Sequence, residues 1–437
     1  MLRRNRLVAL AVCVVLSTAS AAAQAAPVLS IHTDRSDAIY AKGDTVTFIV
    51  EMTDAGKPVA SAEVPCELST DNFATSEKKT VTITDGKGQV QATRAEPCLL
   101  WLQATYPQQG AKPVTAIGGA ALSPLEIQPS MPAPEDFDQF WADQKKRVDA
   151  IPANAQLTPM DSGVPNVELY SITMDNVNGT KIYGYFSKPK GDGPFPALLQ
   201  VQWAGVYSLQ PDWTKWLGTQ GIMALDINAH AIENGKPDQY YKDLDAGSLQ
   251  GYPYQGRESR DTSYFLRMYL SCYRAAEYLA ARPDWDKKHL IVSGGSQGGG
   301  QTFVTAGLDP HVTAAAANVP AMCDHTAAVV GRGPGWPRLV ANKDGKPDPV
   351  QLQVARYFDA VNFAREIKVP TLVGTGFADT TCPSSSVYAA FNVIQGPKKI
   401  AVDPLTDHGG KKPNWEAAYN AFLAAQTHDQ AKPAAAN

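Results

Sequence analysis

Ser296 stands at the centre of the string Gly294-Gly295-Ser296-Gln297-Gly298, with Gly299 and Gly300 directly after it. Glycine loses more backbone freedom on folding than any other residue, so such a cluster needs a geometric reason. The pattern G-x-S-x-G supplies one: a sharp strand-to-helix turn that presents the serine hydroxyl at the tip of a sheet. The flanks agree, since "HLIVSG" before the serine reads as a strand and "GGGQTFVTAGL" after it reads as a helix. At a helix N-terminus, free N–H groups and the helix dipole favour developing negative charge. The plain alternative is a glycine-rich turn with an incidental serine. A phosphate-cradling loop is disfavoured, because no Gly-Lys-Ser/Thr follows.

A serine hydroxyl is a poor nucleophile until a base takes its proton. In a fold of this kind the partners follow in the order serine, acid, histidine. Of the seven histidines, His230 and His289 precede Ser296, His32 lies far upstream and His428 lies in the tail. His311 and His325 come before the late strand that should supply the acid. His408, in "LTDHGG", follows the last strand, "KKIAVDP", and hangs where a base has to hang. The acid should close a strand between the two. Asp379, just past "VPTLVGTGF", fits that rule better than Asp403, which ends the last strand, or Asp407, which adjoins the histidine. An oxyanion needs two N–H donors. Gln297, directly after the serine, offers one, and Trp203 in "LLQVQWAGVYS" offers the other.

These residues need a frame. From residue 165 onward, continuous apolar runs such as "FPALLQVQ" and "GIMALDIN" alternate with helical segments, among them "SYFLRMYLSCYRAAEYLAARP". Fully apolar strands between helices predict an α/β, doubly wound sheet whose ligands bind at the carboxyl ends of the strands. Residues 26–125 read differently. "DTVTFIVEM", "AEVPCEL", "KKTVTITD", "GQVQATR" and "LLWLQATYP" are short strands separated by turn formers, which predicts an immunoglobulin-like β-sandwich. The proline-rich "LSPLEIQPSMPAPEDF" links the two parts. The expected domains are therefore a sandwich over 26–125 and an α/β domain over 126–427, with a disordered tail over 428–437.

The chain has 437 residues and a formal charge of −4, with 44% hydrophobic and 19% charged residues, as expected of a globular protein. No basic stripe or zinc-finger spacing appears, so nucleic acid is not an expected partner. No metal or cofactor is expected, because no cluster of histidines and carboxylates has ligand spacing. Arg3, Arg4 and Arg6, an apolar run from Leu7 to Leu16 and Ala23-Gln24-Ala25 make residues 1–25 a secretory leader. No later segment is apolar enough to span a bilayer, so a secreted or periplasmic protein without membrane contact is expected. In an oxidising compartment Cys66 and Cys98 are candidates for a disulfide, the alternative being two buried thiols.

Several stretches together resemble one family. "APEDFDQFWADQ", "YFLRMYLSCYRAAEYLAARPDWDKKHLIVSGGSQGGG", "NVPAMCD", "GFADTTCPSSSVYAAFNVI" and "DHGG" resemble the acetyl xylan esterase / cephalosporin C deacetylase family of α/β-hydrolases, across residues 131 to about 425. The resemblance implies a carbohydrate esterase that removes acetyl groups through an acyl-enzyme. Ser296 would be nucleophile, Asp379 acid and His408 base, with Trp203 and Gln297 at the oxyanion positions. It also implies that Pro320 lines the acetyl pocket, and, because the family is often oligomeric, it leaves two expectations: a homo-oligomer, or an assembly blocked or altered by the added sandwich domain. Two departures stand out. The family has His-Gly-aromatic where this chain has Val201-Gln202-Trp203, and it lacks the region 27–125. A serine peptidase of prolyl-oligopeptidase type is the rival enzyme, although about a hundred residues cannot hold a propeller of several four-stranded blades. A secreted carbohydrate-binding protein on a hydrolase scaffold is the rival from outside enzymology. Tyr240, Tyr241, Tyr252 and Tyr254 are either sugar platforms or the packing of a long loop. The stretch 331–340, "GRGPGWPRLV", is placed as part of a lid on fold analogy alone.

Overall fold

The computed structural model describes residues 27–71, 76–108 and 110–427, so the expected leader and tail lie outside the described residues. The first strands form by alternation. In Thr45–Asp54 every second residue, from Val46 to Met52, is buried, and Ser61–Thr70 and Lys87–Thr93 repeat the period. Among the described residues, eight of the nine strands from Val28 to Leu122 join one hydrogen-bonded path, and the ninth, Lys57–Pro58, pairs beside it with Thr45–Asp54. Strands Ser76–Thr84 and Lys87–Thr93 pair only at Thr84 and Lys87, beside their turn. The path therefore opens there into two leaves, which close on an apolar core that includes Phe48, Val64, Ile83 and Leu102. This is the sandwich that the strand spacing predicts.

One cysteine expectation fails. Cys66 and Cys98 are both free and buried. Cys66 sits opposite Ala104 on the strand Cys98–Tyr106, six residues from Cys98. Six residues of strand span about 20 Å, whereas a disulfide needs Cα atoms within about 7 Å. Burial pushes the Cys66 thiol up to about 11 and the Cys98 thiol up to about 12.

Among the described residues, the second sheet also has nine strands. Its spatial order is Gln156–Met160, Val167–Asp175, Lys181–Pro189, Met223–Ile227, Phe195–Val201, Trp285–Gly295, Ala314–Asn318, Thr371–Thr375 and Lys398–Val402. The first three are antiparallel to their neighbours, and the last six run parallel. Leu198, Leu199, Ala224, Leu225, Ile291 and Val292 are all almost fully buried, as strands covered on both faces must be. The run Ala314–Ala317 keeps one strand thin. Register places the carboxyl ends side by side: Val201 opposite Gly294, Gly295 opposite Asn318, Asn318 opposite Gly374 and Thr375 opposite Val402. Trp203, Ser296, Val319, Asp379 and His408 therefore all hang from one rim. Among the described residues, no helix is long and apolar enough to cross a membrane.

The two parts share a core. Leu99, Trp101 and Ala121 of the sandwich cluster with Phe137, Trp141, Phe363 and Phe377. The Trp101 indole N–H donates to Phe377 O at 2.7 Å, and the Gly333 N–H donates to Asp71 O at 2.6 Å.

Candidate active site

The turn at Ser296 is strained. The residue has φ 56° and ψ −120°, sparsely populated for anything but glycine. Its neighbours hold it there. The Ser296 N–H donates to Asn318 O at 2.9 Å, and Ser296 O accepts from the N–H groups of Ala321 and Gly300. The close contact of helix Gln297–Leu308 with the sheet explains the glycines. A Cβ on Gly298 would lie 2.3 Å from Val201 O, and one on Gly294 would lie 2.6 Å from the Gly298 carbonyl carbon. The result is a hydroxyl at a helix N-terminus, beside a cleft of about 570 Å3 lined by Trp203, Gly295, Val319, Trp336, Thr381 and His408.

The structure brings Ser296, His408 and Asp379 together. His408 Nε2 lies 2.9 Å from Ser296 Oγ, and His408 Nδ1 lies 2.7 Å from Asp379 Oδ2. With the Nδ1–H tautomer, which the carboxylate favours, the ring donates to Asp379 and accepts from the hydroxyl. Asp379 is fully buried, and its second oxygen accepts from the N–H groups of Thr381 and Cys382 at 2.9 and 2.8 Å. The other two acids are occupied elsewhere. Asp403 accepts from Asn414 and Trp415 N–H at the start of the last helix, and Asp407 accepts from Gly410 N–H. Of the remaining histidines between Ser296 and the tail, His311 pairs with Glu277 and Asp309 at 2.8 and 3.2 Å. His325 is buried with neither ring nitrogen partnered, and burial pushes it down to about 3.

The oxyanion candidates are linked through Gln202. No backbone hydrogen bond engages the N–H of Trp203 or Gln297 among the described residues. Gln202 O accepts from Gln301 Nε2 at 2.8 Å and Gln297 Nε2 at 3.4 Å. In a trans peptide the carbonyl and the following N–H point opposite ways, so this clamp also fixes the direction of the Trp203 N–H. Tyr252 OH donates to Gln297 Oε1 at 2.7 Å, and His230 bridges Tyr264 OH and Gly205 O at 2.7 and 3.0 Å. Burial pushes His230 down to about 4, so at neutral pH it is an uncharged support.

Other expected site residues fall differently. Pro320 packs against Gly299, and Val319 forms the cleft wall there. Tyr252 is a buried packing residue, Tyr241 is buried but also lines a second hollow beside the cleft, and Tyr254 is 44% exposed with its OH on Pro337 O. The stretch 331–340 borders the cleft through Trp336. Spacing gave no sign of Lys412 or Trp101. Lys412 is buried and its Nζ donates to the carbonyls of Asp407, His408 and Gly410 at 2.9, 2.8 and 3.0 Å. Trp101 grips the acid loop through Phe377 O.

Among the described residues, two groups hold three potential metal-ligand atoms within 4.8 Å of one another: Asp379, Cys382 and His408, and Glu277, Asp309 and His311. In the first, Asp379 and both His408 nitrogens already have hydrogen-bond partners. The second is an ion-pair cluster with an exposed histidine.

The acetyl xylan esterase family model matches residues 122–426. The acetyl esterase Axe7A of Xylanibacter ruminicola is 29% identical over 380 residues, covering 86% of this chain and 85% of that one. That alignment is too long to be confined to the second sheet and its helices, so it reaches into the sandwich. An acetyl xylan esterase from Paenibacillus sp. R4 superposes with a TM-score of 0.61 at 28% identity, over 69% of this chain and 98% of that one. Acetyl xylan esterase 1 from Thermoanaerobacterium sp. shares the fold with a TM-score of 0.59 at 23% identity, over 69% and 97%. The chain therefore belongs to the acetyl xylan esterase family of α/β-hydrolases and is a carboxylic ester hydrolase.

Proposed function

We propose that the protein removes acetyl groups from acetylated xylan or xylo-oligosaccharides, with Ser296 as nucleophile, His408 as base and Asp379 as its partner. One observation carries this reading: the hydrogen-bonded chain from Ser296 Oγ through His408 to Asp379, at 2.9 and 2.7 Å, opens onto a cleft at the sheet rim. The acetyl esters named for its relatives supply the substrate class.

His408 Nε2 takes the proton of Ser296 as its oxygen attacks the acetyl carbonyl carbon. The oxyanion that forms lies between the N–H groups of Gln297 and Trp203, each donor lowering the barrier by about 3 kcal/mol. His408 then protonates the sugar oxygen, which leaves, and the acetyl group remains on Ser296. Water, deprotonated by the same nitrogen, attacks the acetyl carbon; the bond to Ser296 Oγ breaks, His408 returns the proton to that oxygen, and acetic acid leaves and ionises to acetate. Asp379 holds the imidazole in one tautomer and stabilises its cation.

Acetate release from acetylated xylo-oligosaccharides tests the reading. The Ser296→Ala variant should lose activity by about 10^4-fold or more while remaining folded. Retained hydrolysis would remove Ser296 from the mechanism. Wild-type protein that cleaves a peptide anilide and no acetyl ester would remove the substrate class.

A further inference from the structure

Beside the cleft at Ser296 lies a second hollow of about 440 Å3, and the two share Trp203. Its wall includes the rings of Trp203, Tyr207 and Trp213, and its rim includes Gln210, Asp238 and Lys242. Trp203 is 44% exposed, although its ring packs on Tyr207 at 5.6 Å and on Trp213 at 4.8 Å. Large aromatic side chains are usually well buried, so an exposed one between two hollows is informative. Gln210 caps the helix Pro211–Thr219, and Asp238 and Lys242 lie one turn apart on the helix Asp238–Ala246. Among the described residues, no protein hydrogen bond or ion pair engages the side chains of Gln210, Asp238 or Lys242, or the indole N–H of Trp213.

We propose that this hollow is a sugar subsite that takes the xylose residues adjoining the acetylated one. The inference rests on the acetyl-carbohydrate reading above and deepens it. An acetyl group is too small to extend beyond the catalytic cleft, so an adjoining site can serve only the alcohol part of the ester. The chemistry of the walls selects that alcohol. A pyranose ring has apolar C–H faces and a girdle of hydroxyls. Flat aromatic walls match the faces, and an amide, a carboxylate and an ammonium group match hydroxyls that both donate and accept. One negative and one positive side chain on the rim suit a neutral polar chain. A phosphorylated ligand would lose at Asp238 what it gained at Lys242, so the rim gives an anion no advantage. Trp203 borders both hollows and offers its backbone N–H at the reacting centre, so occupancy of the subsite bears directly on the position of the scissile ester.

The test compares kcat/KM for acetylated xylotetraose with kcat/KM for 4-nitrophenyl acetate, which is too short to reach the subsite. In Trp213→Ala the ratio should fall about tenfold through KM for the oligosaccharide, the usual scale for truncating an aromatic anchor. The double variant Asp238→Ala, Lys242→Ala lies on exposed helix positions and keeps the test open if the tryptophan variant misfolds. Its ratio should fall about threefold, from the loss of two polar contacts. Unacetylated xylotetraose should inhibit 4-nitrophenyl acetate hydrolysis by the wild type more strongly than by either variant. An unchanged ratio and unchanged inhibition in the folded variants would overturn the subsite alone. Wild-type hydrolysis of 4-nitrophenyl acetate with no acetate released from any acetylated xylo-oligosaccharide would overturn the substrate reading, and the subsite with it.

Discussion

His408 sits on a ten-residue connection between the strand Lys398–Val402 and the last helix, Pro413–Thr427, and its ring has to stay within hydrogen-bond reach of two groups at once. Lys412 explains how a loop carrying Gly409 and Gly410 does so. One ammonium group gathers three of its carbonyls. Charged donors make the stronger hydrogen bonds, and removing this one takes from three loop carbonyls the donor they share. In Lys412→Met we expect kcat to fall about tenfold with KM little changed, since the base is misplaced while the cleft survives. Steady-state kinetics check this, and an unchanged kcat would show that the loop holds without the lysine. Ser296, His408 and Asp379 were legible in the sequence because each follows a recognisable strand by a few residues. Lys412 was not, because its role depends on how the loop folds back over it. Val319, next to the Pro320 that the resemblance names, lines the cleft, and no period or motif in the sequence singles it out.

At the scale of elements, the acid loop is held from both sides. The Ala378 N–H donates to Thr406 O at 3.2 Å, which ties it to the histidine loop. From the sandwich, Trp101 donates to Phe377 O, and a Cβ on Gly119 would lie 2.0 Å from that same oxygen. The strand pair Cys98–Tyr106 and Val114–Leu122 therefore fits against the backbone two residues before Asp379. Removing the indole donor leaves a buried carbonyl without its partner, a cost of about 1–3 kcal/mol. Trp101→Phe should lower kcat about fivefold with KM nearly constant, and Gly119→Ala should lower it further, because backbone must move to admit the methyl group. Full activity in Gly119→Ala would show that the acid loop does not depend on this contact. Strand existence and order of domains were readable from alternation and punctuation. Contacts between strands of different domains were not, because they depend on register. The failed Cys66–Cys98 pairing has the same origin: both cysteines fall in strands, and only the ladder reveals that they sit six residues out of register.

For the whole molecule, the sandwich and the α/β part share one apolar cluster, and buried polar groups gather along their junction. Asp71, pushed up to about 6 mainly by burial, faces Arg332 and Asp324 there. His325 lies in the same region, its N–H donating to Asp359 Oδ2 at 2.7 Å while its ring has no partner. Its folded value, about 3, lies below the ordinary 6.5. The unfolded chain therefore binds a proton that the folded chain refuses, and stability present above pH 6.5 is lost as pH falls toward 3. Removing the titration should remove that loss. Relative to wild type, His325→Leu should gain about 2 kcal/mol of stability between pH 8 and pH 5. Urea unfolding of both proteins at the two pH values measures this, and an equal pH dependence would show that the ring is protonated in the folded state. Nothing in the sequence marked His325 as buried, because it follows the short stretch "NVPAMCD" with no period to read.

In the proposed reaction the acetyl group passes through a covalent ester at one hydroxyl. Rapid acid quenching of the protein during turnover of an acetyl ester, followed by proteolysis and mass analysis, locates the group. One acetyl group is expected, on Ser296, formed and lost at rates compatible with kcat. An acetyl group on any other side chain, or turnover with none on Ser296, would contradict the proposed reaction.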